Sequence, residues 1–160
     1  GIAVTPIQMI TAVAAVANEG VAPRPYVVQR VEREGQIIQE FPPQPGRSVI
    51  SPSVARELTD MLVESLRGKD NLTIPGYTIA GKTGTAQIPV TGGYHPEDTI
   101  ACFVGYAPAY DPQFIILVKL DRPRESPWGS VVAVPAFRRL SEKLFIYLRI
   151  PPDEMRIASR

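Results

Sequence analysis

The chain has 160 residues, enough for one compact domain burying roughly two-thirds of its unfolded surface, and 44% hydrophobic with 21% charged residues is a globular composition. A net charge of +1, from 17 basic and 16 acidic residues, supplies no general field for nucleic acid or for an acidic membrane surface. Cys102 as the single cysteine excludes an internal disulfide, and with His95 as the only imidazole no zinc or other metal site is expected.

In chain order, Thr5-Pro6-Ile7-Gln8 reads as a capping box with proline at the first helical position, and Gly20 stands where a left-handed C-terminal cap belongs. The residues between them are apolar on every side, so this helix is expected to be buried all round, partly by elements upstream of Gly1. Residues Tyr26 to Glu32 and Ile37 to Phe41 read as two strands around a Glu34-Gly35 turn, followed by a proline-rich connector too short to separate domains. Ser51 and Pro52 open a second helix with an apolar stripe of Val54, Leu58, Met61, Leu62 and Ser65, and Gly68 stops it. Three strands are predicted next, Tyr77 to Gln87, Thr99 to Tyr106 and Gln113 to Leu120, with Pro89 to Asp98 as a loop carrying His95. A last helix opens at Val134-Pro135 and presents Ala136, Leu140, Leu144, Tyr147 and Leu148 to a sheet. The chain shows no internal repeat, no run of about eighteen apolar residues and no secretory leader at its start.

The stretch richest in chemistry is Ala80-Gly81-Lys82-Thr83-Gly84-Thr85-Ala86-Gln87, one cation with hydroxyls, an amide and two glycines, an arrangement for gripping an anion. Gly76 to Thr83 also spells the phosphate-loop pattern G-x-x-x-x-G-K-[ST]. That loop needs a helix directly after its Lys-Thr, whose first amides face the phosphates. Here three glycines, a proline and β-branched residues follow, so nucleotide binding is set aside. As an edge strand the stretch places Lys82 and Gly84 on one face, Thr83 and Thr85 on the other. Gly81 and Gly84, lacking side chains, are expected to let a ligand backbone approach and pair. A Lys-Thr-Gly on a strand is one of three motifs of the serine acyltransferases that react with β-lactams.

Four blocks together resemble the C-terminal half of the transpeptidase domain of class B penicillin-binding proteins. They are Gly1-Ile2-Ala3-Val4-Thr5-Pro6-Ile7-Gln8 with Ala17-Asn18-Glu19-Gly20, the Lys82 stretch, Phe103-Val104-Gly105-Tyr106-Ala107-Pro108, and Pro135 before the final helix. The resemblance implies an α+β fold related to the β-lactamases, an antiparallel sheet with helices packed on it, and residues 1–160 as one partial domain. It further implies catalytic roles for Lys82, as positive charge near the Ser-Lys proton relay, and for Thr85, whose N–H is one of two oxyanion-hole donors. Thr83, Gly84, Thr85 and Gln87 become the substrate-binding residues, the two threonine hydroxyls holding the carboxylate of the donor peptide or of a β-lactam. Peptidoglycan stem peptide, β-lactams and the upstream half of the same domain are the implied partners. An extracytoplasmic location through an upstream membrane anchor is implied, and no cofactor.

One departure matters. The family nucleophile lies in Ser-x-x-Lys and the second motif is Ser-x-Asn, and neither occurs: Ser53 precedes Arg56 and Ser65 precedes Gly68 at that spacing. Since covalent catalysis needs its nucleophile, the chain is expected to be an inactive fragment of a larger enzyme. A β-lactamase or β-lactam sensor fragment shares the Lys-Thr-Gly strand, and a noncatalytic truncated binding module is the other class considered.

Overall fold

The computed structural model describes residues 2–157. Helix α1 (Pro6–Ala17) begins with the expected capping box, Thr5 and Gln8 each bonding the other's backbone N–H. Its C-terminus closes one residue earlier than expected: Glu19 takes the left-handed conformation (φ 52°), Gly20 follows at φ 89°, and Gly20 N–H reaches back to the Ala15 carbonyl at 2.8 Å. The expectation of burial all round is not met. Only Ala15 is buried, while Ile7 and Met9 are 54% and 39% exposed, because α1 has packing partners on one side only.

Two short strands that the sequence does not announce, β1 (Val21–Ala22) and β4 (Arg47–Ser48), pair antiparallel and tie the ends of an excursion. Within it β2 (Arg30–Arg33) and β3 (Gln36–Glu40) form the expected hairpin, turning at Glu34-Gly35 with both φ values positive, 52° and 80°. The first strand starts at Arg30 rather than at Tyr26. Residues 26–29 find almost no partner beyond Gln29, whose carbonyl accepts from Phe41 N–H.

Helix α2 (Pro52–Glu64) is capped by Ser51, whose hydroxyl accepts from Val54 N–H. Its inner stripe runs through Ala55, Thr59 and Leu62 to Leu66, not through Val54 and Met61, which are exposed. The displaced stripe has a polar cause. Thr59 is drawn inward because its hydroxyl meets Tyr106 Oη at 2.8 Å and the Ala55 carbonyl at 2.9 Å, so a buried hydroxyl pair substitutes for an apolar contact.

The central sheet has three antiparallel strands in sequence order, β5 (Ala80–Val90), β6 (Gly93–Ala107) and β7 (Phe114–Asp121). The strand predicted from Tyr77 starts at Ala80, since Thr78 N–H and C=O are taken by Asp153 and by Ala109 N–H. The loop predicted over Pro89 to Asp98 is instead the tip of a long hairpin turning at Thr91-Gly92. Pro89 is accommodated by a register shift after Gln87, where the ladder needs no proline N–H.

Helix α3 (Gly129–Tyr147) covers one face of this sheet; α1 and α2 cover part of the other. It starts six residues before the predicted Pro135, which lies inside it and denies the Val131 carbonyl its usual intrahelical bond. The buried stripe is Ala133, Val134, Phe137, Ser141 and Phe145, while Leu140, Tyr147 and Leu148 are exposed. Aromatic packing sets this rotation. Phe137 meets Phe103 edge to face at 4.7 Å, and Phe145 stacks on Tyr77 at 3.6 Å and meets Phe114 at 5.3 Å, contacts the periodicity alone cannot rank. Short helix α4 (Asp153–Ile157) clamps the C-terminal segment back, Asp153 holding Thr78 N–H at 2.7 Å and Arg156 pairing with Asp111.

Candidate active site

In an antiparallel pair, residues directly opposite either exchange both backbone hydrogen bonds or neither. The Gly81 carbonyl accepts from Ser65 Oγ at 3.1 Å and the Thr83 carbonyl from Lys82 Nζ at 3.3 Å, both on the side away from β6. The alternation therefore turns the amides and carbonyls of 81, 83, 85 and 87 toward the outer edge of β5, which no other strand among the described residues covers. Residues 80, 82, 84 and 86 spend theirs on β6. This edge is a ready template for an added extended chain.

Side chains follow the opposite logic, above and below the sheet. Thr83, Thr85 and Gln87 share the face on which Phe103 meets Phe137 of α3, and Lys82 and Gly84 share the other. Lys82, Thr85 and Gln87 are exposed, and Thr83 and Gly84 half-buried. Lys82 and Thr85 thus flank the same open edge from opposite faces. The space left by the two glycines is not where it was expected. A Cβ on Gly81 would sit 2.6 Å from Phe103 Cζ, and one on Gly84 2.6 Å from Cys102 Sγ. These glycines let neighbouring side chains of β6 lie flat across β5; the approach to the edge depends on backbone direction instead.

Thr85 has a partner that sequence reasoning missed. Its Oγ1 accepts from Gly129 N–H, the first residue of α3, at 3.3 Å. A signal was present in Ser126-Pro127-Trp128-Gly129, a proline-bounded turn ahead of an apolar run, but Pro135 is the stronger helix-opening cue and masks it.

The other nucleophilic side chains are held or unactivated. The Ser65 hydroxyl is shared between the Leu62 and Gly81 carbonyls, at 3.0 and 3.1 Å, and closes the end of α2 against β5. Burial pushes the Cys102 thiol up despite the opposing charge of Lys119, so little nucleophilic thiolate forms near neutrality. His95 lies on the hairpin tip, where Nδ1 accepts from Asp98 N–H at 2.9 Å and Glu97 N–H at 3.3 Å. Because those bonds are local to the tip, His95→Ala is expected to leave penicillin acylation of the full-length protein within about twofold of wild type. Acylation kinetics measure this; complete loss would put the histidine in the chemistry. The phosphate-loop pattern is also resolved: Lys82-Thr83 continues as strand to Val90, so no helix N-terminus follows it.

The geometry defines an α+β protein whose motif-bearing strand stands at the open edge of its three-stranded antiparallel sheet. The chain belongs to the penicillin binding protein transpeptidase domain family, whose model matches residues 1–142. It is 34% identical to penicillin-binding protein PbpB of Mycolicibacterium smegmatis over 170 residues, covering 96% of this chain and 26% of that protein. Against the peptidoglycan D,D-transpeptidase FtsI of Escherichia coli it is 31% identical over 160 residues, covering 97% and 25%. Among solved structures, penicillin-binding protein 3 of Mycobacterium tuberculosis complexed with aztreonam aligns with a TM-score of 0.82 at 30% identity, over 95% of this chain and 37% of that one. The chain therefore spans about a quarter of the length of PbpB and of FtsI. Among the described residues no helix is long and apolar enough to cross a membrane.

Proposed function

We propose that residues 1–160 form the C-terminal part of a peptidoglycan D,D-transpeptidase domain, which cross-links cell-wall stem peptides through an acyl-serine intermediate and is acylated by β-lactams. The observation that carries this reading is the uncovered edge of β5, flanked by Lys82 on one face and by Thr83 and Thr85 on the other. The donor peptide lies along that edge and pairs with the outward backbone of Thr83, Thr85 and Gln87, while Gly84 between the threonines keeps its own backbone groups on β6.

Acyl transfer begins when a serine oxygen attacks the carbonyl carbon, and the carbonyl oxygen gains negative charge. Thr85 N–H points out of the edge toward that oxygen, a preorganised donor whose loss typically costs roughly a hundred- to a thousandfold in rate. The intermediate collapses with cleavage of the carbon–nitrogen bond, and the serine proton passes to the departing nitrogen. Lys82 adds positive charge beside this relay and beside the substrate carboxylate, which the Thr83 and Thr85 hydroxyls hold. The serine and its partner lysine come from the part of the protein outside these residues, as no Ser-x-x-Lys occurs in them. The setting is extracytoplasmic, the full-length protein being membrane-anchored, and the chemistry uses no cofactor. Fluorescent penicillin is expected to label the full-length protein covalently, with label surviving denaturation; an unlabelled, folded full-length protein would end this reading.

A further inference from the structure

The contact between Thr85 and the start of α3 bears on how the carboxylate is held. Helix α3 has nineteen residues and its N-cap, Trp128, offers no side-chain oxygen to the first amides. Val131 and Val132 N–H both turn to the Trp128 carbonyl, at 3.0 and 3.2 Å. Gly129 N–H goes instead to Thr85 Oγ1, so a hydroxyl from the active-site strand does the work of a helix cap.

The helix start is pinned at this spot from two further directions. Thr99 Oγ1 on β6 donates to the Pro127 carbonyl at 2.9 Å, and Asn71 Nδ2 donates to the Ser130 carbonyl at 2.9 Å. Gly129 itself is buried, and a Cβ there would lie 2.4 Å from the Cys102 carbonyl oxygen and 2.6 Å from that of Gly84. Both obstacles are backbone of the central sheet and cannot give way. Only glycine brings the positive end of this helix down onto the β5–β6 ladder beside Thr85.

We infer that Gly129 is a positioning residue for ligand recognition, its N–H holding Thr85 Oγ1 so that the hydroxyl proton is aimed at the ligand carboxylate on the outer edge of β5. This rests on the reading of that edge as the carboxylate-binding wall. An accepted bond from a helix N-terminus leaves the threonine hydroxyl one hydrogen, fixes its rotor and polarises it as a donor. The helix end carries a partial positive charge equivalent to about half an elementary charge, which favours an anion held through that hydroxyl.

The test compares acylation of the full-length protein by a penicillin and by its methyl ester, which keeps the reacting ring and removes the carboxylate charge. Thr85→Val is expected to slow the acid roughly ten- to a hundredfold more than it slows the ester, the cost of a hydrogen bond to a charged group. Thr85→Ser is expected to restore most of the acid rate. Gly129→Ala should lower acid-over-ester discrimination about tenfold in the wild-type background and by less than about twofold once Thr85 is valine, because the glycine acts through that hydroxyl. Additive effects of the two substitutions overturn the inference and leave the carboxylate wall standing. A wild-type protein that reacts with acid and ester equally overturns the wall itself and the inference with it. Should Gly129→Ala not fold, hydrogen exchange at the Gly129 amide decides the matter. Faster exchange in Thr85→Val with protection kept in Thr85→Ser is the expected result, and unchanged exchange in Thr85→Val rejects the inference.

Discussion

Lys82→Ala in the full-length protein is expected to slow penicillin acylation by roughly two to four orders of magnitude, the range for removing a group that takes part in proton transfer. Lys82 stands at the open edge of β5 on the face opposite Thr85, with Nζ only loosely engaged by the Thr83 carbonyl at 3.3 Å. On the proposed reading its charge serves both the relay and the ligand carboxylate, so both lose it together. Thr85→Ala keeps the backbone N–H and removes the hydroxyl alone, so it should cost about 1.5–3 kcal/mol, or roughly ten- to a hundredfold. The control is Thr78→Ser. Thr78 precedes β5 rather than lying on it, and its backbone bonds to Asp153 and Ala109 survive the change, so the rate should stay near wild type. Rate constants for the three variants, with folding checked by thermal melting, measure the order. Equal rates for Lys82→Ala, Thr85→Ala and wild type would remove β5 from the catalytic wall.

The isolated 160 residues are expected to take up no denaturation-resistant label from fluorescent penicillin at all. Stable acylation needs an activated oxygen or sulfur within reach of the lactam carbonyl. Ser65 is held by two carbonyls at the end of α2, and Cys102 lies under Gly84 with its thiol pushed up by burial. Neither has an adjacent imidazole to activate it: the one histidine is turned to its own hairpin tip. Gel fluorescence after denaturation reads the outcome directly. Label on this chain, mapped to any of its residues, would show a nucleophile outside any Ser-x-x-Lys motif.

Local chemistry made the helix starts at Pro6 and Pro52 legible, because a capping side chain three residues from a free amide acts within one turn and needs no tertiary partner. The same holds for the Glu34-Gly35 turn and for the strand character of the Lys-Thr-Gly segment, whose alternation by itself separates Lys82 from Thr83 and Thr85. What sequence could not rank were choices between equivalent faces and starts. On α2 and α3 several apolar rows compete at helical spacing, and the buried one was selected by contacts from distant strands, Tyr106 calling in Thr59 and Phe103 calling in Phe137. On α3 the start moved from Pro135 to Gly129 because a glycine can settle on the backbone of the sheet where any side chain would collide. The residues of the Lys82 stretch, and their division between two faces, were thus determined by sequence alone. The meeting of Thr85 with a helix start forty-four positions away was decided only by tertiary packing, since no local period couples a strand hydroxyl to an amide brought in from the far side of the hairpin.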